Sequence, residues 1–273
     1  MRNPQYADNT YMATRLVAAA RAARLPSPPS AFRRRASSWA ALQLSPEACA
    51  GAEALGLPQP TAVQALAIPP LLEGRSVAFA GSTGTGKTLA FLLPVVEQLR
   101  QHEKELPAAR RTGHSRALVL APTRALAVQI GLVAKSLSHQ LRFRVRTIAG
   151  GDLLSEQRKR VYSGADLLVA TPERLLKVLA FDQRRRSKHG RPKLSLRRVR
   201  HVVLDEADEM LLRGPETEPL RQLLRLCDGQ WKAPSVLIDP SAPFASLHRL
   251  KASPHSAAPR YSRAHPVMRP RAR

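Results

Sequence analysis

The sequence predicts an α/β domain, a mostly parallel sheet covered by helices on both faces. Three observations carry that reading. Apolar runs of strand length recur from Ser76 to Ile238, and amphipathic stretches of helical period separate them. The runs are continuous in their apolar character, as strands buried on both faces are. A glycine-rich turn also sits between one such run and the helix after it, outside the carboxyl end of a strand, where open α/β sheets bind ligands.

Taken in order, residues 1–38 form a basic arm with a Pro/Ser stretch (Pro26 to Ser30) and the triplet Arg33-Arg34-Arg35, with no acid after Asp8. Arg-rich, Ser-bearing and acid-poor composition is that of a transit peptide, which points to a mitochondrion or chloroplast; a disordered RNA-binding arm in cytoplasm or nucleus is the competing reading. The globular part runs over residues 39–238. Its strands are expected at Ser76–Ala80, Ala117–Ala121, Arg144–Ile148, Asp166–Ala170, Val202–Leu204 and Ser235–Ile238, with helices such as Thr123–Leu137 and Leu153–Val161 between them. Residues 239–273 are Pro, Ser, Ala, His and Arg without sustained period, and read as a disordered tail.

The turn after the first strand is Gly81-Ser82-Thr83-Gly84-Thr85-Gly86-Lys87-Thr88, which matches GxxxxGK[ST] at every fixed position. The glycines let consecutive backbone N–H groups point at an anion. Lys87 reaches the β- and γ-phosphates and the Thr88 hydroxyl ligates Mg²⁺, while the helix opened by Leu89–Leu93 adds the partial positive charge of its N-terminus. This is a nucleotide phosphate site. The second informative stretch is Asp205-Glu206-Ala207-Asp208, directly after the apolar run Val202–Leu204. There Asp205 can hold Mg²⁺ beside the phosphates, and Glu206 can orient or deprotonate an attacking water.

Charge narrows the partners. The 273 residues carry 44 Lys and Arg, 35 of them Arg, against 20 Asp and Glu, a net +24. Such a field attracts polyanions and speeds encounters with nucleic acid. Cys49 and Cys227 cannot form a disulfide scaffold or a metal set, so they read as buried thiols in a reducing compartment. No apolar run is long enough to span a membrane, so the chain reads as soluble with no membrane partner.

With these residues in place the sequence resembles the DEAD-box ATP-dependent RNA helicases, whose name is spelled by Asp205-Glu206-Ala207-Asp208. The resemblance implies a RecA-like fold for residues 39–238, with ATP and Mg²⁺ as cofactors and RNA as partner. It assigns Lys87, Asp205 and Glu206 to catalysis, Thr88 and Asp205 to the metal, and Asp208 to coupling of the site to a later motif. Gly56 to Gln64 resembles the Q motif, so Gln64 is expected to read the adenine edge. Trp39 stands where the family places an upstream aromatic that stacks on the base, and a tryptophan anchoring the N-terminal helix against the core is a compatible reading. Pro122-Thr123-Arg124-Ala125-Leu126 resembles motif Ia, Gly150-Gly151 the GG element, and Thr171-Pro172-Glu173-Arg174 motif Ib. Thr123, Arg124, Gly150, Gly151, Thr171 and Arg174 are thereby implied to grip the RNA backbone without reading bases.

Two positions depart from the family pattern. Ala125 replaces an acid in motif Ia, and Glu173 replaces the glycine of motif Ib, where a carboxylate repels phosphate and a side chain obstructs close backbone approach. The stretch from Asp182 to Arg200, with nine basic residues and one acid, is longer than usual there and reads as a solvated insertion or an additional phosphate-binding patch. The resemblance stops at Asp239, which reads as a truncation, an alternative splice or a frame change. The expected Ser-Ala-Thr motif is replaced by the displaced Asp239-Pro240-Ser241-Ala242-Pro243, and no second RecA-like domain follows. The expectation is therefore the N-terminal half of a helicase, with a single-domain ATP- and RNA-binding module as the alternative. A protein partner supplying the second-domain surface is implied.

Overall fold

A computed structural model of the chain describes residues 38–81, 84–104, 115–184, 194–212, 217–227, 235–239 and 248–249. Apart from Ser38, the expected basic arm lies outside these residues. So do most of the basic insertion and most of the tail.

Three of the helix starts have a legible side-chain cap. After a short 3₁₀ turn, Ala40–Leu42, helix α1 (Pro46–Ala54) is capped by the Ser45 hydroxyl, which accepts from the Ala48 N–H. Pro46 occupies a first-turn position whose N–H would have had no intrahelical partner. Helix α2 (Ala62–Leu72) opens on a reciprocal capping box between Thr61 and Gln64. Then come β1 (Val77–Ala80), α3 (Lys87–Lys104), β2 (Ala117–Leu120) and α4 (Arg124–Leu141), the last capped by Thr123. They are followed by β3 (Val145–Ile148), α5 (Leu154–Tyr162), β4 (Leu167–Ala170) and α6 (Pro172–Arg184). The remainder is β5 (His201–Leu204), α7 (Ala207–Leu212), α8 (Thr217–Cys227), β6 (Ser235–Asp239) and β7 (His248–Arg249).

The strands form one sheet of order β3-β4-β2-β5-β6-β1-β7, parallel throughout except for β7, which pairs antiparallel with β1. Strand alternation divides the core between the two faces. Val77, Phe79, Val119, Val169 and Val203 pack with α1 to α4. Ala78, Leu118, Leu120, Leu168 and Val202 pack with residues of α5 to α8. Every residue of β2, β4 and β5 is consequently buried, which is why these strands read as unbroken apolar runs.

Three details differ from the sequence expectations. Helix α3 begins at Lys87 rather than Leu89, because the phosphate loop runs straight into the helix. Helix α4 continues past Leu137 to Leu141, where Arg142 ends it in the left-handed conformation at φ 52°. The short strand β7 falls inside the segment expected to lack regular structure; two residues cannot display a periodic pattern, so only pairing with β1 defines it. No helix among the described residues is long and apolar enough to cross a membrane.

Candidate nucleotide site and nucleic-acid loops

The strand order decides which loops meet. β1 and β5 are separated only by β6, about 10 Å at ordinary interstrand spacing. The turn after β1 and the acids after β5 therefore project from neighbouring strand ends, the crevice in which open α/β sheets hold ligands.

The turn after β1 is built on glycine. Gly84 and Gly86 sit at φ 80° and 87°, a region that residues with a Cβ rarely adopt. Gly86 has a second reason: an added Cβ would lie 2.5 Å from Gln64 Nε2 and 3.1 Å from Thr61 Oγ1. Ser82 and Thr83 lie outside the described residues. Lys87 Nζ donates to the Gly81 carbonyl, closing the loop across its mouth. Thr88 follows in the first turn of α3, and the Gly86 carbonyl accepts from the Ala90 N–H.

Asp205 is buried, with 4% of its surface exposed, and accepts from the Glu206 N–H at 3.1 Å. Burial pushes its carboxyl up to about 6, the Lys87 charge opposes that rise, and the Glu206 charge adds to it. Lys87 and Asp205, far apart in sequence, are thus electrostatic neighbours. Glu206 is half-buried and occupies the left-handed region at φ 51°. Its carboxyl is also raised, first by burial and then by Glu209 and Asp208, with Lys87 opposing. Asp208 sits in the first turn of α7. The Thr88 hydroxyl and the Asp205 carboxylate are hard oxygen donors, the chemistry of a Mg²⁺ that arrives with phosphates and keeps several waters.

Two residues expected at the base are held by protein groups in this structure. Trp39 is 1% exposed within the core, and its indole N–H donates to the Leu57 carbonyl at 2.8 Å. In this structure it anchors the N-terminal segment and presents no open ring face for a base to stack on. Gln64 is completely buried with both ends of its amide engaged: Oε1 accepts from the Thr61 N–H at 2.7 Å, and Nε2 donates to the Gly86 carbonyl at 3.1 Å. Thr61 contributes too, its hydroxyl donating to the Thr85 carbonyl at 2.9 Å. The segment before α2 therefore braces the phosphate loop from behind. Thr61 was missed as a site residue, although the Thr61-x-x-Gln64 spacing is a legible capping-box signature.

The loops expected to meet RNA follow β2, β3 and β4, three adjacent strands, and the structure brings them together. Exposed Thr123 and Arg124 start α4, and the Arg124 guanidinium lies against Gly151: an added Cβ there would come 2.0 Å from Nη1. Gly151 is also at φ 101°. Thr171 donates its N–H to the Ile148 carbonyl, and its own carbonyl accepts from Leu175. Arg174 binds protein groups, donating to Gln157 Oε1 at 2.8 Å and to the Asp152 carbonyl, so it shapes the Gly150-Gly151 loop. Gln157, only 2% exposed, completes that bracket by donating to the Ala149 carbonyl. Nothing in its surroundings in sequence distinguishes it from other polar residues of α5. Glu173 is exposed at the start of α6, with Lys177 3.5 Å away.

Fold and site together define a nucleotide-binding domain of the RecA-like kind: a parallel sheet with a phosphate loop after one strand and paired acids after a near neighbour. A family model described as DEAD/DEAH box helicase matches residues 61–239, and the chain belongs to that family. It is 36% identical over 173 residues to the Arabidopsis thaliana protein named DEAD-box ATP-dependent RNA helicase 39, covering 63% of this chain and 26% of that protein. It is 39% identical over 156 residues to the Dictyostelium discoideum ATP-dependent RNA helicase ddx46, covering 57% of this chain and 13% of the relative. Among solved structures, a DEAD box protein from the hyperthermophile Methanococcus jannaschii superposes with a TM-score of 0.61 at 27% identity, over 76% of this chain and 50% of that one. The chain thus spans about a quarter or less of these two curated relatives and half of the solved neighbour.

Proposed function

We propose that this chain supplies the ATP-binding half of an ATP-dependent RNA helicase, with residues 39–238 as its folded unit. The observation that carries the reading is the placement of Lys87 within electrostatic reach of Asp205 across the ends of β1 and β5. Backbone N–H groups of the glycine turn and the N-terminus of α3 bind phosphate oxygens, and Lys87 adds its charge at the β- and γ-phosphates. Thr88 and Asp205 would hold Mg²⁺, which neutralises charge developing on the transferred phosphoryl group. Glu206 orients the attacking water and takes its proton; its raised carboxyl suits a proton acceptor. Bound ATP would release Lys87 from the Gly81 carbonyl to the phosphates.

RNA would lie across the loops after β2, β3 and β4, held through its sugar-phosphate backbone by Thr123, Arg124 and the Gly150-Gly151 peptide. Hydrolysis and unwinding require positive charge facing the γ-phosphate from the opposite side, which a second domain or a partner protein would bring. The basic arm would direct the protein to a mitochondrion or chloroplast.

A fluorescent ATP analogue tests the nucleotide site. Wild-type protein should bind it with Mg²⁺, and Lys87→Ala should weaken binding by about tenfold or more. Full affinity in that variant would overturn the assignment. Oligouridylate affinity should fall steeply with added salt, as backbone recognition demands.

A further inference from the structure

β3 is the outer strand of the sheet, five strand positions from β1 and so roughly 24 Å from the phosphate loop. Between β3, the outward face of α4 and the end of α5 lies a groove of about 480 Å³. It runs the length of the strand, from Gly150 at one end to Arg144 at the other.

Part of its lining is apolar. The nearly buried Phe143 contributes to it, while Val128 and Leu132, one helical turn apart on α4, stand 40% and 62% exposed. Both are large aliphatic side chains facing water beside a cavity. Its rim is cationic, with Arg124, Lys135, Arg144, Arg146 and Arg160 against the single carboxylate of Asp152. Asp152 is already paired with Arg160 at 3.0 Å. Arg144 pairs with Asp166 outside the groove. Arg124, Lys135 and Arg146 pair with no carboxylate among the described residues.

The backbone of β3 is partly screened from strand addition. The Arg146 guanidinium folds over the edge, donating to the Val145 carbonyl at 2.9 Å, the Arg160 carbonyl at 3.0 Å and Ser163 Oγ at 3.1 Å. Recognition must therefore come from side chains set in the groove. A sugar-phosphate backbone would match the cations but offers no apolar counterpart for the exposed Val128 and Leu132. The groove offers aliphatic anchors one turn apart inside a positive rim, the complement of an apolar side chain flanked by carboxylates.

We propose that this groove is a docking site for an acidic peptide segment of a partner protein, anchored by an apolar side chain between Val128 and Leu132. The site is separate from the nucleotide crevice and does not rest on ATP binding, although its Arg124 and Gly150 end borders the loops proposed to hold RNA. A short fluorescein-labelled peptide of aspartates and leucines serves as the probe, with a lysine-leucine peptide and labelled oligouridylate as comparisons. The full chain should bind the acidic peptide and not the basic one. Leu132→Asp and Lys135→Glu should each weaken that binding about tenfold while ATP-analogue binding stays unchanged. Leu132→Ala, a change that favours the helix, should weaken it in the same direction and keeps the test readable if a charged variant misfolds. Unaltered peptide affinity in Leu132→Ala and Lys135→Glu would overturn the proposal. So would loss of oligouridylate binding in those variants with the peptide unaffected, which would make the groove a nucleic-acid surface.

Discussion

At the scale of single residues, Glu206 shows how function and stability pull apart. It holds φ 51° with a full side chain, a conformation that costs about 1–2 kcal/mol in a residue bearing a Cβ. Glycine removes that cost and β-branched valine raises it. Thermal unfolding should accordingly rank Glu206→Gly at or above wild type and Glu206→Val below both; equal melting of the two variants would contradict the strained backbone. Only wild type carries the carboxylate, so stability and hydrolysis should not move together. Gln64 behaves oppositely, since its amide joins the start of α2 to Gly86. Gln64→Ala leaves the Thr61 N–H without its partner and takes from the Gly86 carbonyl one of its two donors, Ala90 N–H remaining, a loss of about 1–3 kcal/mol. It should also weaken binding of the ATP analogue, because the loop loses its brace. A variant that melts lower yet binds normally would show that this contact serves folding alone.

At the scale of elements, the approach of α4 to β3 depends on one glycine. A Cβ at Gly131 would lie 2.2 Å from Thr147 Oγ1 and 3.4 Å from its Cβ. Rotating the hydroxyl away leaves the methyl group contending for the same space. Gly131→Ala should therefore lower stability by about 1–3 kcal/mol. Adding Thr147→Ala should restore most of it, giving a clear coupling in a double-mutant cycle measured by urea unfolding. Strict additivity would mean that the helix shifts instead. The same packing sets the width of the groove beside β3, which links this contact to the proposed docking surface.

At the scale of the whole molecule, Asp166 ties distant parts of the sheet's amino end together. Its side chain, 9% exposed, meets Arg116 at 3.3 Å and Arg144 at 3.2 Å, and it also accepts from the Arg144 N–H at 2.9 Å. Burial alone would raise its carboxyl, but the Arg144 hydrogen bonds and the two guanidinium charges outweigh that and hold it below the ordinary 3.8. A depressed acid stabilises the fold fully above its unfolded value and loses that contribution as pH falls through its folded value. Asp166→Asn leaves a buried arginine without its carboxylate and should cost about 3–5 kcal/mol at neutral pH. The difference from wild type should shrink once pH drops below about 4. A gap that stays constant to lower pH would remove the ion pair as its cause.

The sequence by itself determined the α/β class, the phosphate loop and the paired acids, since each is a local matter of residue type and spacing. Apolar runs buried on both faces betray parallel strands, and only glycine satisfies the turn at Gly84 and Gly86. Thr61 and Gln64 were legible as a helix cap, but their grip on the loop was not, because it depends on α2 packing behind β1. Tertiary structure alone brought the Lys87 charge within electrostatic reach of Asp205 and turned Arg174 toward Asp152 and Gln157. It alone added β7 to the sheet. Those outcomes follow from strand order, which long-range packing selects: a six-strand parallel arrangement can be ordered in many ways with the same local patterns. The order found here sets β6 between β1 and β5 and leaves β3 at the edge. One consequence is a nucleotide crevice; the other is a basic, partly apolar groove at the far side of the sheet.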